Sequence, residues 1–262
     1  MSPQESPYKS ETAEDLGFES KYLLPIWKHN QVLSALKALC QPDPKYPAGI
    51  IDSIYFDTLD FKFLREKADS DYLKTKVRLR WYHTLDGQLA SSSAFTEIKY
   101  RVGARRQKLH FEADIASEDL DQIELQDPIL LEFGNSLLKV GVLPFEKLIP
   151  MFVVRYTRYR FIDPISGTRI ALDSEITVPK VNRAIFPEAD LMPDFKLDLA
   201  VLEFKAKQPG MPRVATALRH LELRQSSFSK YLEGYLALKG ESTCKILDLS
   251  IKDGVSAVLN CF

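Results

Sequence analysis

The stretch KVRLRWY, residues 76–82, places Lys76, Arg78 and Arg80 at every second position, with Val77, Leu79 and Trp81 between them. A strand sends alternate side chains to opposite faces, so one face of this segment is cationic and the other apolar. The apolar face requires a core. The cationic face requires water, acidic partners or a bound anion.

The alternation returns along the chain. In TEIKYR, Glu97, Lys99 and Arg101 oppose Ile98 and Tyr100, and in RRQKLHFE, Arg106, Lys108, His110 and Glu112 oppose Gln107, Leu109 and Phe111. YTRYRF sets Arg158 and Arg160 against Thr157, Tyr159 and Phe161. RIALDSEIT sets Arg169, Asp173 and Glu175 against Ile170, Leu172 and Ile176, and VLEFKAK sets Glu203, Lys205 and Lys207 against Leu202, Phe204 and Ala206. GFESKYLL opens the series with Glu19 and Lys21. One such strand reads as a solvated sheet face. Repetition over many strands argues otherwise, because like charges directly opposite each other destabilise strand pairing. A face in which Arg and Lys predominate repels itself unless an anion sits on it.

Composition bounds the alternatives. The 262 residues are 45% hydrophobic and 27% charged, with a net charge of −1. This is an ordinary globular balance and excludes a basic protein that coats nucleic acid, so no nucleic-acid partner is expected. Cys40, Cys244 and Cys261 are odd in number and widely spaced, which speaks against a disulfide framework and for a reducing compartment. His29, His83, His110 and His220 form no close pair, and no histidine-led metal site is expected. No apolar run approaches the ~20 residues of a membrane span. Residues 1–15 are polar and acidic, unlike a targeting peptide, and read as a disordered tail ahead of a single domain at 16–262. The expected location is cytoplasmic.

Helical spacing is confined to about Lys28–Cys40, Ser117–Val140 with a break at Pro128, Pro212–Arg224 and Ser229–Lys239. Strands are expected at Gly17–Leu24, Asp52–Asp57, Thr75–His83, Phe95–Arg101, Arg105–Ala113, Val153–Ile162, Arg169–Val178 and Leu199–Lys207, with CKILDLSI as one more candidate. Short turns such as TLDGQ and DPISGT favour antiparallel pairing. The class is α+β, built on a large antiparallel sheet. Few helices are on hand to bury an open sheet. A barrel of about eight strands, charged face inward and helices outside, resolves this and creates a cation-lined tunnel for a compact polyanion.

SKYLL, IDSIYFDT, KVRLRWY, EIKYR, RIALDSEIT, VLEFK and SFSKY follow one another between residues 17 and 232. In that order they resemble the vacuolar transporter chaperone (VTC) polyphosphate polymerases, a branch of the CYTH-like triphosphate tunnel metalloenzymes. The resemblance implies a triphosphate-binding barrel that transfers the γ-phosphate of ATP to inorganic polyphosphate. It further implies phosphate-binding roles for Lys21, Arg65, Arg78, Arg80, Lys99, Lys108, Arg158, Arg169, Ser229 and Lys230. Of these, the resemblance assigns Arg78, Arg80, Lys99, Arg158 and Arg169 to catalysis together with Glu203, which would hold Mn²⁺ or Mg²⁺. Related hydrolases carry a Glu-x-Glu-x-Lys signature whose first glutamate is replaced here by Gly17, which favours the polymerase branch. The polymerase branch often carries a further base where this chain has Ser227. A triphosphate or tripolyphosphate hydrolase and a non-catalytic polyphosphate-binding module are the alternatives.

These residue types suit the chemistry. Phosphoryl transfer needs in-line positioning and charge neutralisation more than covalent help. Arginine forks grip pairs of phosphate oxygens and stay charged, while lysine supplies a compact point charge.

Overall fold

The computed structural model describes residues 9–11, 17–69, 73–103, 105–140, 146–188, 195–221 and 223–240. The CKILDLSI segment, 244–251, lies outside them. Eleven strands form one antiparallel sheet among these residues: β1 (Lys9–Glu11), β2 (Phe18–Pro25), β3 (Gln41–Pro42), β4 (Ala48–Asp57), β5 (Leu73–His83), β6 (Ser93–Val102), β7 (Arg105–Ala116), β8 (Ile149–Ile162), β9 (Arg169–Val181), β10 (Leu199–Ala206) and β11 (Arg224–Gln225). Their order is β1-β7-β6-β5-β4-β8-β9-β10-β2-β11, with β3 pairing β8 off this path. The α+β antiparallel class is the one the alternation implied.

The sheet differs from the expected barrel in two respects. The hydrogen-bonded path does not close, and the sheet carries three very short strands that no alternation could reveal. One of these, β1, lies within the segment expected to be a disordered tail; it pairs with His110, Leu109 and Lys108 of β7. The sheet nevertheless curls. Lys99 on β6 lies within electrostatic range of Glu19 on β2 and Lys205 on β10, although five strands separate β6 from β2 in the sheet order.

Helices cover the outer face as the alternation requires, and one lies against the inner face. Among the described residues the α-helices are α1 (His29–Leu39), α2 (Lys62–Ala68), α3 (Ser117–Gln122), α4 (Pro128–Ser136), α5 (Arg213–Ala217) and α6 (Lys230–Leu238). Val77, Leu79 and Trp81 from the outer face of β5 pack with Leu120 of α3 and Leu130 of α4 in one cluster. Leu172, Leu202 and Phe204 on the outer faces of β9 and β10 pack with Val32 and Leu36 of α1 in another. Burying each such side chain contributes about 1.5–3 kcal/mol. A third cluster joins Tyr55, Phe152, Val154 and Val201 to Tyr231 of α6, so the inner face is apolar where α6 lies against it. Gly234 permits that approach, because a Cβ there would meet Phe152 at 2.7 Å.

The break at Pro128 is real: α4 starts on it, with the Asp127 carboxylate accepting from the Ile129 amide at 2.9 Å. The Pro212–Arg224 segment is shorter in helix than expected, giving α5, one 3₁₀ turn and then β11. Helix α2 has no side-chain cap from Phe61, the residue before it. Its amides at Phe63 and Leu64 donate instead to buried Asp57, at the end of β4, at 2.9 and 3.0 Å. The same carboxylate accepts from Tyr231 Oη at 2.7 Å and ties α6 to α2. Among the described residues no helix is long and apolar enough to cross a membrane.

Candidate functional site: the charged inner face

Strand β5 supplies the centre. Arg78 donates to Glu97 Oε2 through Nε at 3.1 Å and Nη2 at 2.5 Å, and Arg80 Nη1 donates to Glu97 Oε1 at 2.9 Å. Arg80 also reaches Ser53 Oγ at 3.2 Å and Tyr156 Oη at 3.1 Å. Burial would raise the Glu97 carboxyl, but Arg78, Arg80 and Lys99 hold it well below its ordinary range. Lys76 has no ion pair among the described residues; its ammonium lies 4.9 Å from the Tyr55 ring centroid. Burial, together with Arg78, Lys21, Lys230 and Arg80, lowers it well below the usual lysine value.

A second set stands on β8, β9, β10, β2 and the start of α6. Arg158 grips Asp173 with both prongs, at 2.6 and 2.7 Å, and Lys230 reaches the same carboxylate at 2.5 Å while lying 4.3 Å from the Tyr156 ring centroid. Burial opposes ionisation of Asp173, yet Arg158 and Lys230 bring it to about 2. Glu203 pairs with Lys205 at 3.1 Å and lies 3.8 Å from Arg158, and Lys21 pairs with Glu19 at 2.9 Å. Against burial, Lys205, Arg158, Lys21 and Lys230 keep Glu203 ionised. The two sets share one space: Lys76 on β5 feels Lys21 on β2 and Lys230 on α6. Lys99 is lowered to about 7, by burial first and then by Arg78 and Lys205.

The sequence-derived residues fall into three groups. Lys21, Arg78, Arg80, Lys99, Arg158, Lys230 and Glu203 meet on this inner face. Lys108 lies opposite Lys99 in the β6–β7 register, and exposed Arg169 lies opposite Lys205 at the start of β9, at the rim. Ser229 and Arg65 are engaged elsewhere: the Ser229 hydroxyl caps α6 by accepting from the Leu232 amide at 3.5 Å, and exposed Arg65 pairs with Asp60. Helix α2 instead presents Lys67, whose ammonium donates to the Ser227 carbonyl at 3.0 Å. Burial, Lys74 and Lys21 depress Lys67. A base from α2 therefore stands over position 227, where the chain itself has only a serine. Sequence spacing also missed Asp173 as a partner of the inner bases.

Glu175 leaves the inner face. Two residues of β9, Glu175 and Ile176, stand against one of β8, Tyr156, between the pairs Thr157–Ser174 and Arg155–Thr177. This bulge, with Glu175 at φ 52°, shifts the alternation by one, so Glu175 is exposed and pairs with Lys196. Gly17 is also explained. It sits at φ +59°, and a Cβ would meet the Ala206 carbonyl oxygen at 2.6 Å, so this backbone excludes a glutamate there.

The donor set fits a divalent ion. Glu203 and Glu19 feel each other's charge across β10 and β2, and oxygen donors few in number are what a magnesium-like ion takes from a protein. Remote from this face, Asp52, His83 and Asp121 form a second group whose ligand atoms lie within 4.8 Å of one another.

Fold and site define a class: an antiparallel α+β sheet curled around a cationic inner face. Solved structures of similar fold include a Pyrococcus horikoshii protein with 13% identity and TM-score 0.44, covering 84% of this chain and 99% of that one. A protein described as a putative adenylate cyclase from Bacillus halodurans gives 13% and 0.46, covering 84% and 95%. Another so described, from Vibrio parahaemolyticus, gives 13% and 0.44, covering 86% and 98%. Among curated proteins none matches the chain significantly. The VTC domain family matches residues 18–239, and the chain belongs to that family.

Proposed function

We propose that the chain is a polyphosphate polymerase, which transfers the γ-phosphate of ATP to a growing inorganic polyphosphate chain. Membership in the VTC domain family supports a function tied to polyphosphate or triphosphate. The observation that carries the reading is the inner face itself, where bases outnumber acids and Lys76 and Lys99 are held below their usual values by burial and then by neighbouring cations. A triphosphate brings roughly four negative charges, since a terminal phosphate's second pKa is near 6. At an effective dielectric of about 20, each cation–phosphate contact near 4 Å is worth about 4 kcal/mol before desolvation.

The terminal oxygen of the polyphosphate chain attacks the γ-phosphorus, the γ-phosphorus–oxygen bond to the β-phosphate breaks, and ADP leaves with that electron pair. Arg78, Arg80 and Arg158 are the forks that hold non-bridging oxygens, which requires them to trade part of their grip on Glu97 and Asp173 for the ligand. Lys21, Lys99 and Lys230 neutralise successive phosphates, Lys67 and Lys76 add charge, and Lys108, Arg169 and Arg65 are retained as outer contacts. Mn²⁺ or Mg²⁺ would be held by Glu203 with Glu19 and would supply charge neutralisation on the phosphates.

The test is incubation with ATP and Mn²⁺, read by phosphorus NMR. Mid-chain phosphate signals growing in step with ADP support the polymerase. ADP with free phosphate alone replaces it with a hydrolase. Unchanged ATP, with retained affinity for polyphosphate, replaces it with a binding module. Glu203→Ala should abolish turnover and keep polyphosphate affinity.

A further inference from the structure

Two polar groups on the inner face lack a hydrogen-bonding or ionic partner among the described residues. Tyr55 of β4 is 1% exposed, and its buried Oη makes no hydrogen bond with them. Lys76 of β5 has no ion pair among them, and its ammonium lies 4.9 Å from the Tyr55 ring centroid. The two are neighbours, and both stand beside Arg78. Tyr55 lies opposite Arg78 in the β4–β5 register, and Lys76 precedes Arg78 by two on the same strand face.

We infer that Tyr55 and Lys76 together form a phosphate subsite, in which the Tyr55 hydroxyl donates to a non-bridging oxygen and the Lys76 ammonium neutralises the same phosphate. The ligand is one phosphate group of a tri- or polyphosphate chain. The subsite rests on the reading of the inner face as a phosphate-binding surface, and it adds a neutral donor beside the arginine forks. The state of the hydroxyl is the first reason. A buried phenol ordinarily finds a partner, because leaving it unpaired costs its desolvation. Tyr156 obeys this by accepting from Arg80 Nη2 at 3.1 Å. Tyr55 lies within electrostatic range of Arg78 yet has no bond to it, and a phosphate held by Arg78 would accept its proton.

The state of Lys76 is the second reason. A ring face offsets less of an ammonium's charge than a carboxylate does. Lys76 stands opposite Lys99 in the β5–β6 register, so no acid faces it there. Burial first, then Arg78, Lys21, Lys230 and Arg80, lowers it well below the usual lysine value. A phosphate beside it would counter the effect of those cations. The fixed ring is the third reason. Tyr55 stacks on Tyr231 of α6, with centroids 5.0 Å apart and planes at 23°, and lies 6.2 Å from the Phe152 centroid. Tyr231 is held in turn by its hydroxyl, which donates to Asp57 at 2.7 Å. Apolar packing therefore fixes the Tyr55 ring before a ligand arrives, as a binding group requires.

The test is titration of the full chain with tripolyphosphate by calorimetry, paired with urea unfolding. Tyr55→Phe keeps the ring, its stacking and its contact with Lys76, and removes only the hydroxyl. It should weaken tripolyphosphate binding roughly tenfold or more, the scale of one hydrogen bond to a charged group. Stability should stay equal or rise, because the deleted group had no partner. Lys76→Met removes the charge, keeps the stem and should weaken binding by a similar factor. Because both groups hold one phosphate, the double variant should lose less than the product of the two single losses. Wild-type affinity or lost stability in Tyr55→Phe, or single losses that multiply in the double variant, overturns the subsite and leaves a cation–ring contact in the wall. If Arg78→Ala weakens binding while Tyr55→Phe does not, the subsite falls and the phosphate-binding face stands. Absence of tripolyphosphate binding by the wild type overturns both.

Discussion

Strand β5 separates two regions that use charge in opposite ways. On its outer side, Arg155 pairs with Asp52, and His83 stands between Asp52 and Asp121, so acids and bases match. On its inner side Lys76 lies against the Tyr55 ring with no ion pair among the described residues, and Lys99 is lowered to about 7 by burial and its cationic neighbours. The outer charges complete one another and hold elements together. The inner charges are in excess, which costs folding free energy and leaves a surface that gains when an anion arrives. Stability and binding should therefore respond to different substitutions on one strand.

The largest separation is between Leu79 and Arg78. Leu79→Ala removes a fully buried outer side chain and should cost about 2–5 kcal/mol in urea unfolding, with tripolyphosphate affinity of the folded fraction unchanged. Arg78→Ala should weaken tripolyphosphate binding roughly tenfold to a hundredfold by calorimetry, because a charged hydrogen bond contributes about 1.5–3 kcal/mol. Unchanged tripolyphosphate affinity in Arg78→Ala, or its loss in folded Leu79→Ala, would erase the distinction between the faces.

Titration of Lys99 sharpens it. Its folded value of about 7 lies below the ordinary 10.5, so the unfolded chain holds more protons between those limits and the unliganded protein gains stability as pH rises through that window. A polyanion favours the charged lysine and raises its value. Affinity should therefore be full below pH 7 and fall above it, with proton uptake on binding. Lys99→Arg, which stays charged, should flatten the fall, as measured by calorimetry in buffers of different ionisation heat. Parallel pH profiles for the two proteins would remove Lys99 from the site. The smallest effect belongs to Glu175→Gln: this exposed pair with Lys196 should change stability by no more than about 0.5 kcal/mol and leave affinity unaltered. A loss of binding there would return Glu175 to the inner face.

Much of the site was legible because a strand's period of two is a local property. KVRLRWY alone assigns Arg78 and Arg80 to one face and Leu79 and Trp81 to the other, and the structure keeps them there. Local pattern fails where the backbone breaks period, as at the Glu175 bulge, and where a partner comes from far along the chain. Lys67 reaches position 227 from α2, and Tyr231 of α6 reaches Asp57 at the end of β4. His83 forms no motif in sequence, yet meets Asp52 and Asp121 because β4 pairs with β5 and α3 lies over them.

The sequence by itself determined that the protein would build an antiparallel sheet with one cationic and one apolar face, because alternation, charge and hydrophobicity are carried by consecutive residues. Only the tertiary structure decided which of those bases converge, which acids neutralise them and how far Lys99 is lowered. Those depend on the curl of the sheet and on burial, and neither is a property of any one strand.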